Sequence, residues 1–139
     1  MGGRIYSMII IPIVLLVIFD QISKFYVAGA GRAIFNRGFA FSLFEKDAGV
    51  PFLLSVFALA VFILFMKKHS GNVGFWLVVG GGVSNILDRV IWGGAVVDFI
   101  KLPIVPNLPV FNLADGLVVF GLMLMGIGLV KGSRLSDQK

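Results

Sequence analysis

The 139-residue sequence contains no cysteine and only one histidine, His69. Without cysteine the chain has no disulfide scaffold, no thiol nucleophile and no zinc ribbon. A single histidine also argues against a Ser-His-Asp triad and against a histidine-rich metal site. These absences exclude several common classes of catalytic site.

Charged residues are scarce as well. Asp, Glu, Lys and Arg make up 14% of the chain and hydrophobic residues 58%, whereas soluble domains have roughly 25% charged and 45–50% apolar residues. The composition excludes an ordinary soluble domain and indicates one membrane domain, residues 1–139. The net charge of +5 does not indicate nucleic acid, because the basic residues form no patch; attraction to anionic lipid headgroups is the simpler explanation.

Four apolar segments approach the roughly 20 residues that a helix needs to cross a bilayer. No small-residue cleavage site follows the first of them, so we expect a retained span rather than a signal peptide. The predicted spans are residues 5–24, 50–66, 73–92 and 111–130. They are separated by outer loops 25–49 and 93–110 and a cytoplasmic loop 67–72, and are followed by a cytoplasmic tail 131–139.

Four spans place both termini on the same side of the membrane. The 12 lysines and arginines divide equally between the two sides, but those on the terminal side lie in short segments, which carry the most weight in the positive-inside rule. We therefore predict cytoplasmic termini, with His69 in a cytoplasmic turn as a solvated or headgroup-facing residue.

The loop after the first span is too apolar for a plain solvent loop. Arg37, Phe39 and Phe41 give a partial period of two, and Gly38 permits a bend. The pattern fits either a short extended hairpin on the membrane surface or a loop that dips into the interface.

Four of the seven acidic residues lie in or beside the predicted spans, namely Asp20, Asp88, Asp98 and Asp115. A charge at the bilayer centre costs on the order of 2.5–3.5 kcal/mol even on lenient insertion scales, so each needs a physical reason. Because the predicted topology places all four at the outer face, they indicate one shared site.

Local spacing already suggests partners for some of these acids. Asp20 and Lys24 are four residues apart on a helix and can pair directly, and Asn85 lies next to both Asp88 and Arg89. Since adjacent helical residues diverge, Arg89 is free to reach a carboxylate or carbonyl on another segment.

Neither Asp98 nor Asp115 has an obvious cation partner close in sequence, since a strand would turn Lys101 to the face opposite Asp98. Asp98 lies in a β-branched run that favours a strand, and Asp115 follows Asn112 at a predicted helix start. Two such carboxylates can share one proton and activate water for hydrolysis, as aspartic proteases do. They can equally be interfacial helix caps, or the proton-relay groups of a transporter.

The polar residues form five short motifs along nearly the whole chain. They are Asp20-Gln21-x-x-Lys24, Asn36-Arg37-Gly38-Phe39-Ala40-Phe41, Gly81-Gly82-x-x-Asn85-x-x-Asp88-Arg89, Val96-Val97-Asp98-Phe99 and Phe111-Asn112-Leu113-Ala114-Asp115. Each alone is weak, but five in this order resemble the lipoprotein signal peptidases (signal peptidase II), which are membrane aspartyl endopeptidases of bacteria. The chain is compact for that family, with a short connection at residues 26–34.

The resemblance implies an all-α integral membrane fold of four transmembrane helices with a small extracytoplasmic β-hairpin or cradle. It implies Asp98 and Asp115 as the catalytic pair, with no metal and no organic cofactor. The residues that it assigns to substrate binding and site support are Asp20, Lys24, Asn36, Gly38, Asn85, Asp88, Arg89 and Asn112.

The resemblance also implies the substrate and the location. The enzyme would cleave a diacylglyceryl-modified prolipoprotein immediately before the lipobox cysteine, with water activated by the aspartate pair. Its partners would be prolipoproteins, membrane lipids and globomycin-type cyclic peptide inhibitors, with no nucleic acid. We expect a multi-pass monomer in the bacterial cytoplasmic (inner) membrane, with its active site near the outer face.

The residues argue against three other functions. A small four-span proton-coupled transporter or channel subunit would need an acid well inside a span, whereas these acids cluster at one face. A serine protease using Ser23 beside Lys24 is disfavoured because adjacent helical residues diverge by about 100°. A structural subunit without chemistry would not need five polar motifs.

Overall fold

A computed structural model describes residues 2–38 and 49–136. Its main elements are four α-helices and two short strands. In chain order they are α1 (Gly2–Gly29), β1 (Ile34–Asn36), α2 (Gly49–Met66), a 3-10 helix (Lys67–His69), α3 (Val73–Ile91), β2 (Val96–Asp98) and α4 (Leu113–Ser136). The first helix continues past the predicted end of its span at Lys24.

Three of the helices in the described chain are long and apolar enough to cross a bilayer, over Met8–Gly29, Gly49–His69 and Leu113–Val130. Large apolar side chains on them point outward, such as Phe57 at 67% exposed and Met123 at 59%. This is typical of surfaces that face lipid rather than water.

The predicted fourth span, residues 73–92, is helical as α3 but is not shown to be a membrane helix. It is not among the helices that are long and apolar enough to cross a bilayer, and it carries Asn85, Asp88 and Arg89 near its C-terminal end. Its polar side chains are turned toward neighbouring segments: Asp88 is fully buried and Arg89 is 7% exposed.

Helix α3 lies between the other three helices. Glycines allow α4 to approach closely: a Cβ on Gly121 would lie 2.6 Å from the carbonyl oxygen of Gly74. Elsewhere on α3, Gly80 lies against Ile13 of α1. Phe75 of α3 stacks on a phenylalanine of α2, with a ring-centroid distance of 5.6 Å. Small residues at such contacts are the usual means of close helix packing in lipid.

We expect Gly81→Ala to destabilise the protein by about 1–3 kcal/mol, the usual cost of overpacking. A Cβ at Gly81 would collide with the backbone carbonyl of Ala114 and lie 2.8 Å from Val118 Cγ2, and backbone cannot move aside. Thermal unfolding in detergent measures the loss. Gly126→Ala is the control, because a Cβ there meets nothing within 4 Å; equal stability of the two variants would contradict the packing argument.

The two strands form an antiparallel sheet between distant parts of the chain. The register runs from Ile34↔Asp98 to Asn36↔Val96, which confirms the extended conformation expected at Asp98. In the described residues the partner of β1 is therefore β2, in the segment after α3. The predicted interfacial positions Phe39 and Phe41 lie outside the described residues.

Candidate active site

All ten residues predicted for the site lie in one connected network of hydrogen bonds and ion pairs. They come from α1, β1 and the residues after it, α3, β2 and the start of α4. The ten are Asp20, Lys24, Asn36, Gly38, Asn85, Asp88, Arg89, Asp98, Asn112 and Asp115.

Asn112 joins the two carboxylates that the sequence leaves without a cation. Its side-chain Nδ2 donates to Asp98 Oδ1 at 2.8 Å, while its Oδ1 accepts from the backbone N–H of Asp115 at 2.9 Å. Its own backbone N–H donates to Asp115 Oδ2 at 3.1 Å. This reciprocal capping arrangement begins α4 and orients Asp98 at the same time.

Each carboxylate accepts a second hydrogen bond from a neutral amide. Asn36 Nδ2 donates to Asp98 Oδ2 at 3.1 Å, and Asn85 Nδ2 donates to Asp115 Oδ1 at 2.8 Å. Within residues 2–38 and 49–136, neither carboxylate has a lysine or arginine nitrogen within ion-pair distance. The pair is thus oriented by dipoles and is not neutralised by a cation.

The environment of Asp98 changes its acidity. Burial, with the side chain 3% exposed, raises the pKa of Asp98 from 3.8 to about 6, and the charge of Asp115 acts in the same direction. The hydrogen bonds from Asn36 and Asn112 oppose this rise because they stabilise the ionised form. A carboxyl group with such a pKa can hold or release a proton near neutral pH.

Lys24 forms ion pairs with the other two acids of the cluster. Its Nζ lies 2.7 Å from Asp20 Oδ2 and 2.8 Å from Asp88 Oδ2, and all three side chains are fully buried. The pairing with Asp20 confirms the one expected from their spacing. Lys24 also donates to Asn85 Oδ1 at 3.2 Å, so the ion cluster contacts an amide that holds Asp115.

Asp20 and Asp88 also accept hydrogen bonds from the backbone beside Asp115 and Asp98. Asp20 Oδ1 accepts from the N–H of Ala114, the residue before Asp115, at 3.1 Å. Asp88 Oδ2 accepts from the N–H of Val97, the residue before Asp98, at 3.1 Å. One buried lysine therefore holds together the two acids that position these neighbouring backbone segments.

Arg89 reaches other segments, as its place beside Asp88 predicted. Its guanidinium donates to the carbonyl oxygens of Gly38 at 2.7 Å and Gly94 at 2.8 Å, and to Ser55 Oγ at 3.2 Å. It thereby links Gly38, two residues after β1, to the loop after α3 and to α2.

Besides Ser55, two further residues of the network, Gln21 and Ser84, were not predicted as site residues. Gln21 Nε2 donates to Asp88 Oδ1 at 2.8 Å and to Ser84 Oγ at 2.9 Å, and Ser84 Oγ donates to Asp20 Oδ2 at 2.6 Å. Both are polar residues in apolar segments, and Ser84 lies one helical turn before Asp88, which is the signal that could have identified it.

The described residues include no group of three or more histidine, cysteine, aspartate or glutamate side chains that could hold a metal ion. The chemistry that the arrangement supports is that of two adjacent carboxyl groups. An ionised member can take a proton from water while a protonated member donates one to a carbonyl oxygen.

Comparisons with known proteins agree with this chemistry. Residues 12–131 match the family model described as signal peptidase (SPase) II. A lipoprotein signal peptidase of Janthinobacterium sp. (strain Marseille) is 33% identical, over 78% of this chain and 79% of that protein. Another, from Streptococcus agalactiae serotype Ia, is 30% identical over 88% of this chain and 93% of that protein.

The fold also resembles solved structures. One, described as a bacterial membrane enzyme at 2.3 Å resolution, superposes with a TM-score of 0.79 at 28% identity, over 96% of this chain and 92% of that chain. A second bacterial membrane enzyme, at 1.9 Å resolution, gives a TM-score of 0.74 at 28% identity, over 90% of this chain and 94% of that chain.

Proposed function

The chain belongs to the signal peptidase II family, and we propose that it cleaves lipoprotein signal peptides with Asp98 and Asp115 as its catalytic pair. One observation carries the assignment. Asp20 and Asp88 both form ion pairs with Lys24, whereas Asp98 and Asp115 accept hydrogen bonds only from uncharged donors in the described residues. Two carboxyl groups without a direct cation partner can share and exchange a proton.

In the proposed reaction the two aspartates carry one proton between them. The ionised carboxylate takes a proton from the attacking water, and the protonated carboxyl donates its proton to the oxygen of the scissile peptide carbonyl. Asn112, which contacts both groups, keeps the pair aligned. Asn36 and Asn85 then hold the outer oxygens of the two carboxylates.

We propose that the substrate is a prolipoprotein carrying diacylglycerol on its lipobox cysteine, cut immediately before that cysteine. The test is cleavage of a defined prolipoprotein by the purified protein in detergent, read as a gel shift. The modified substrate should be shortened, and the same prolipoprotein without diacylglycerol should not. Failure to cleave either form would count against the proposed activity.

The fourth span and the orientation are part of the proposal. The 19 residues of α3 rise about 28 Å as a helix, close to the ~30 Å of a bilayer core. Because α3 lies between the other helices, it can cross the membrane with polar residues turned toward protein. We place both termini in the cytoplasm and the aspartate pair near the outer face of the bacterial inner membrane.

A reporter fusion tests this topology. We expect alkaline phosphatase to be inactive when fused after Lys139 and active when fused after Leu102, between β2 and α4, because the enzyme folds only outside the cytoplasm. Green fluorescent protein should give the reverse pattern. Phosphatase activity after Lys139 would reverse the orientation.

We expect Asn36→Leu to move the pH profile of cleavage to higher pH. Leucine has a similar size but cannot donate the 3.1 Å hydrogen bond that favours ionised Asp98, so the pKa of Asp98 rises further above about 6. The limb of the kcat/KM profile that reports the ionisation of Asp98 therefore shifts to higher pH. Lys101→Gln, which changes an exposed charge elsewhere, should leave the profile in place; an unshifted Asn36→Leu profile would remove Asn36 from this role.

The proposal extends to ligands that compete for the same site. We expect globomycin-type cyclic peptides to inhibit cleavage competitively and the protein to act as a monomer. The alternative of a proton-coupled transporter or channel subunit has no support in the comparisons, which name peptidases.

A further inference from the structure

An apolar groove lies between α1 and α3, on the N-terminal side of the polar network residues of both helices. It has a volume of about 240 Å³. Its walls are Ile10, Ile13, Val14, Val17 and Ile18 of α1 and Trp76, Val79, Gly80 and Val83 of α3. Its rim is open, with Val14 49% and Ile18 48% exposed. In a membrane this rim faces hydrocarbon.

One end of the groove adjoins a basic turn. The indole Nε1 of Trp76 donates to the carbonyl oxygen of Ser70 at 2.7 Å, and Ser70 directly follows the 3-10 helix Lys67–His69. Lys67 and Lys68 are both exposed. Trp76, which lines the groove, is thus hydrogen-bonded to a turn that carries two exposed cationic side chains.

We propose that this groove and turn form a binding site for one anionic phospholipid, such as phosphatidylglycerol. One acyl chain lies along the groove, and the phosphate faces the lysines of the Lys67–His69 turn. The site is separate from the aspartate pair, which lies on the flank of α3 that faces α4.

The apolar lining favours an acyl chain over a peptide. From Ile10 to Ile18 the groove follows α1 for about 12 Å. A flexible chain fits, and the groove offers no polar group for a peptide backbone, since its lining is wholly apolar apart from Trp76, whose N–H is already bound.

Charge complementarity favours an anionic headgroup. A lysine near an anionic membrane surface contributes about 1 kcal/mol, or roughly fivefold in affinity. Two exposed lysines at the end of the groove therefore predict a clear preference for phosphatidylglycerol over phosphatidylcholine.

Quenching of Trp76 fluorescence tests the site. The chain has two tryptophans, so Trp92→Phe leaves Trp76 as the only reporter. The variant is placed in phosphatidylcholine vesicles containing a small share of lipid brominated high on one acyl chain. We expect brominated phosphatidylglycerol to quench several-fold more than brominated phosphatidylcholine at the same share; equal quenching overturns the anionic site.

Matched variants separate the two parts of the site. Lys67→Gln with Lys68→Gln should bring the quenching ratio close to one, whereas Lys101→Gln should leave it unchanged. Val83→Phe fills the groove and should reduce quenching by both lipids, whereas Val119→Phe, at a 58% exposed position of α4, should not. Unaltered quenching in Val83→Phe overturns the groove as the chain site.

A second measurement does not depend on the Trp92 substitution. Native mass spectrometry of the otherwise unchanged protein should show retention of one phosphatidylglycerol in preference to phosphatidylcholine. The preference should be lost on replacing both lysines of the turn. Equal retention of the two lipids by the unchanged protein would again refute the site, whatever the result for cleavage of prolipoproteins.

Discussion

We expect Asp98→Asn and Asp115→Asn each to abolish cleavage of a diacylglyceryl-modified prolipoprotein, while the protein still inserts into the membrane. Asparagine has the size of aspartate but can neither ionise nor carry the shared proton. We expect a loss of about 10⁴-fold, the upper range of what general acid–base catalysis contributes. Gel-shift assays with purified variants at equal concentration measure the effect.

We expect the loss of cleavage to depend on which aspartate is replaced. Asp137→Asn makes the same chemical change near the C-terminus, away from the five motifs, and should cleave like the unaltered protein. Membrane insertion of each variant is checked by fractionation and thermal unfolding. Cleavage retained by either Asp98→Asn or Asp115→Asn means that the two do not act as a pair.

Lys24→Met should be the most destabilising single change in the ion cluster. Lys24 is fully buried and lies within 2.8 Å of two buried carboxylates. Removing one member of a buried ion pair costs about 3–5 kcal/mol, because an uncompensated charge remains; here two carboxylates lose their cation. Unfolding in detergent measures the loss, and Lys101→Met, at an exposed lysine, is the control.

A triple variant shows whether charge is the cause. Replacing Asp20 and Asp88 by asparagine in the Lys24→Met background removes both uncompensated carboxylates, so part of the stability should return. Cleavage should not recover fully, since asparagine also weakens the hydrogen bonds to the backbone beside Asp98 and Asp115. A triple variant less stable than Lys24→Met would show that packing rather than charge dominates at this position.

The two halves of the network differ in how they could be predicted. The Asp20–Lys24 pair follows from helical spacing, since residues four apart share one face. The role of Asn112 does not, because it depends on β2 and the start of α4 meeting in space. Ser84 was missed for the same reason: its partner Asp20 lies 64 residues away on another helix.

The strand at β1 shows a related limit. The period of two at Arg37, Phe39 and Phe41 predicted a hairpin or an interfacial loop, and Phe39 and Phe41 lie outside the described residues. Such a pattern does not identify a partner strand, and β1, which precedes it, pairs with β2 about 60 residues further along the chain. Register in a sheet depends on which segments the helices bring together, and that information is not local.

The sequence by itself determined that this is a membrane protein with its few acids at one site, because hydropathy and helical spacing act over one or two turns. It also determined the family, since five ordered motifs span the chain. Only the tertiary structure decided which acids form ion pairs. The close approach of α3 and α4 through glycines brings Asn85 to Asp115, and the packing of α1 beside α3 brings Lys24 to both Asp20 and Asp88. Within the described residues Asp98 and Asp115 contact neutral amides instead, because an ion pair depends on distance in space rather than on separation in sequence.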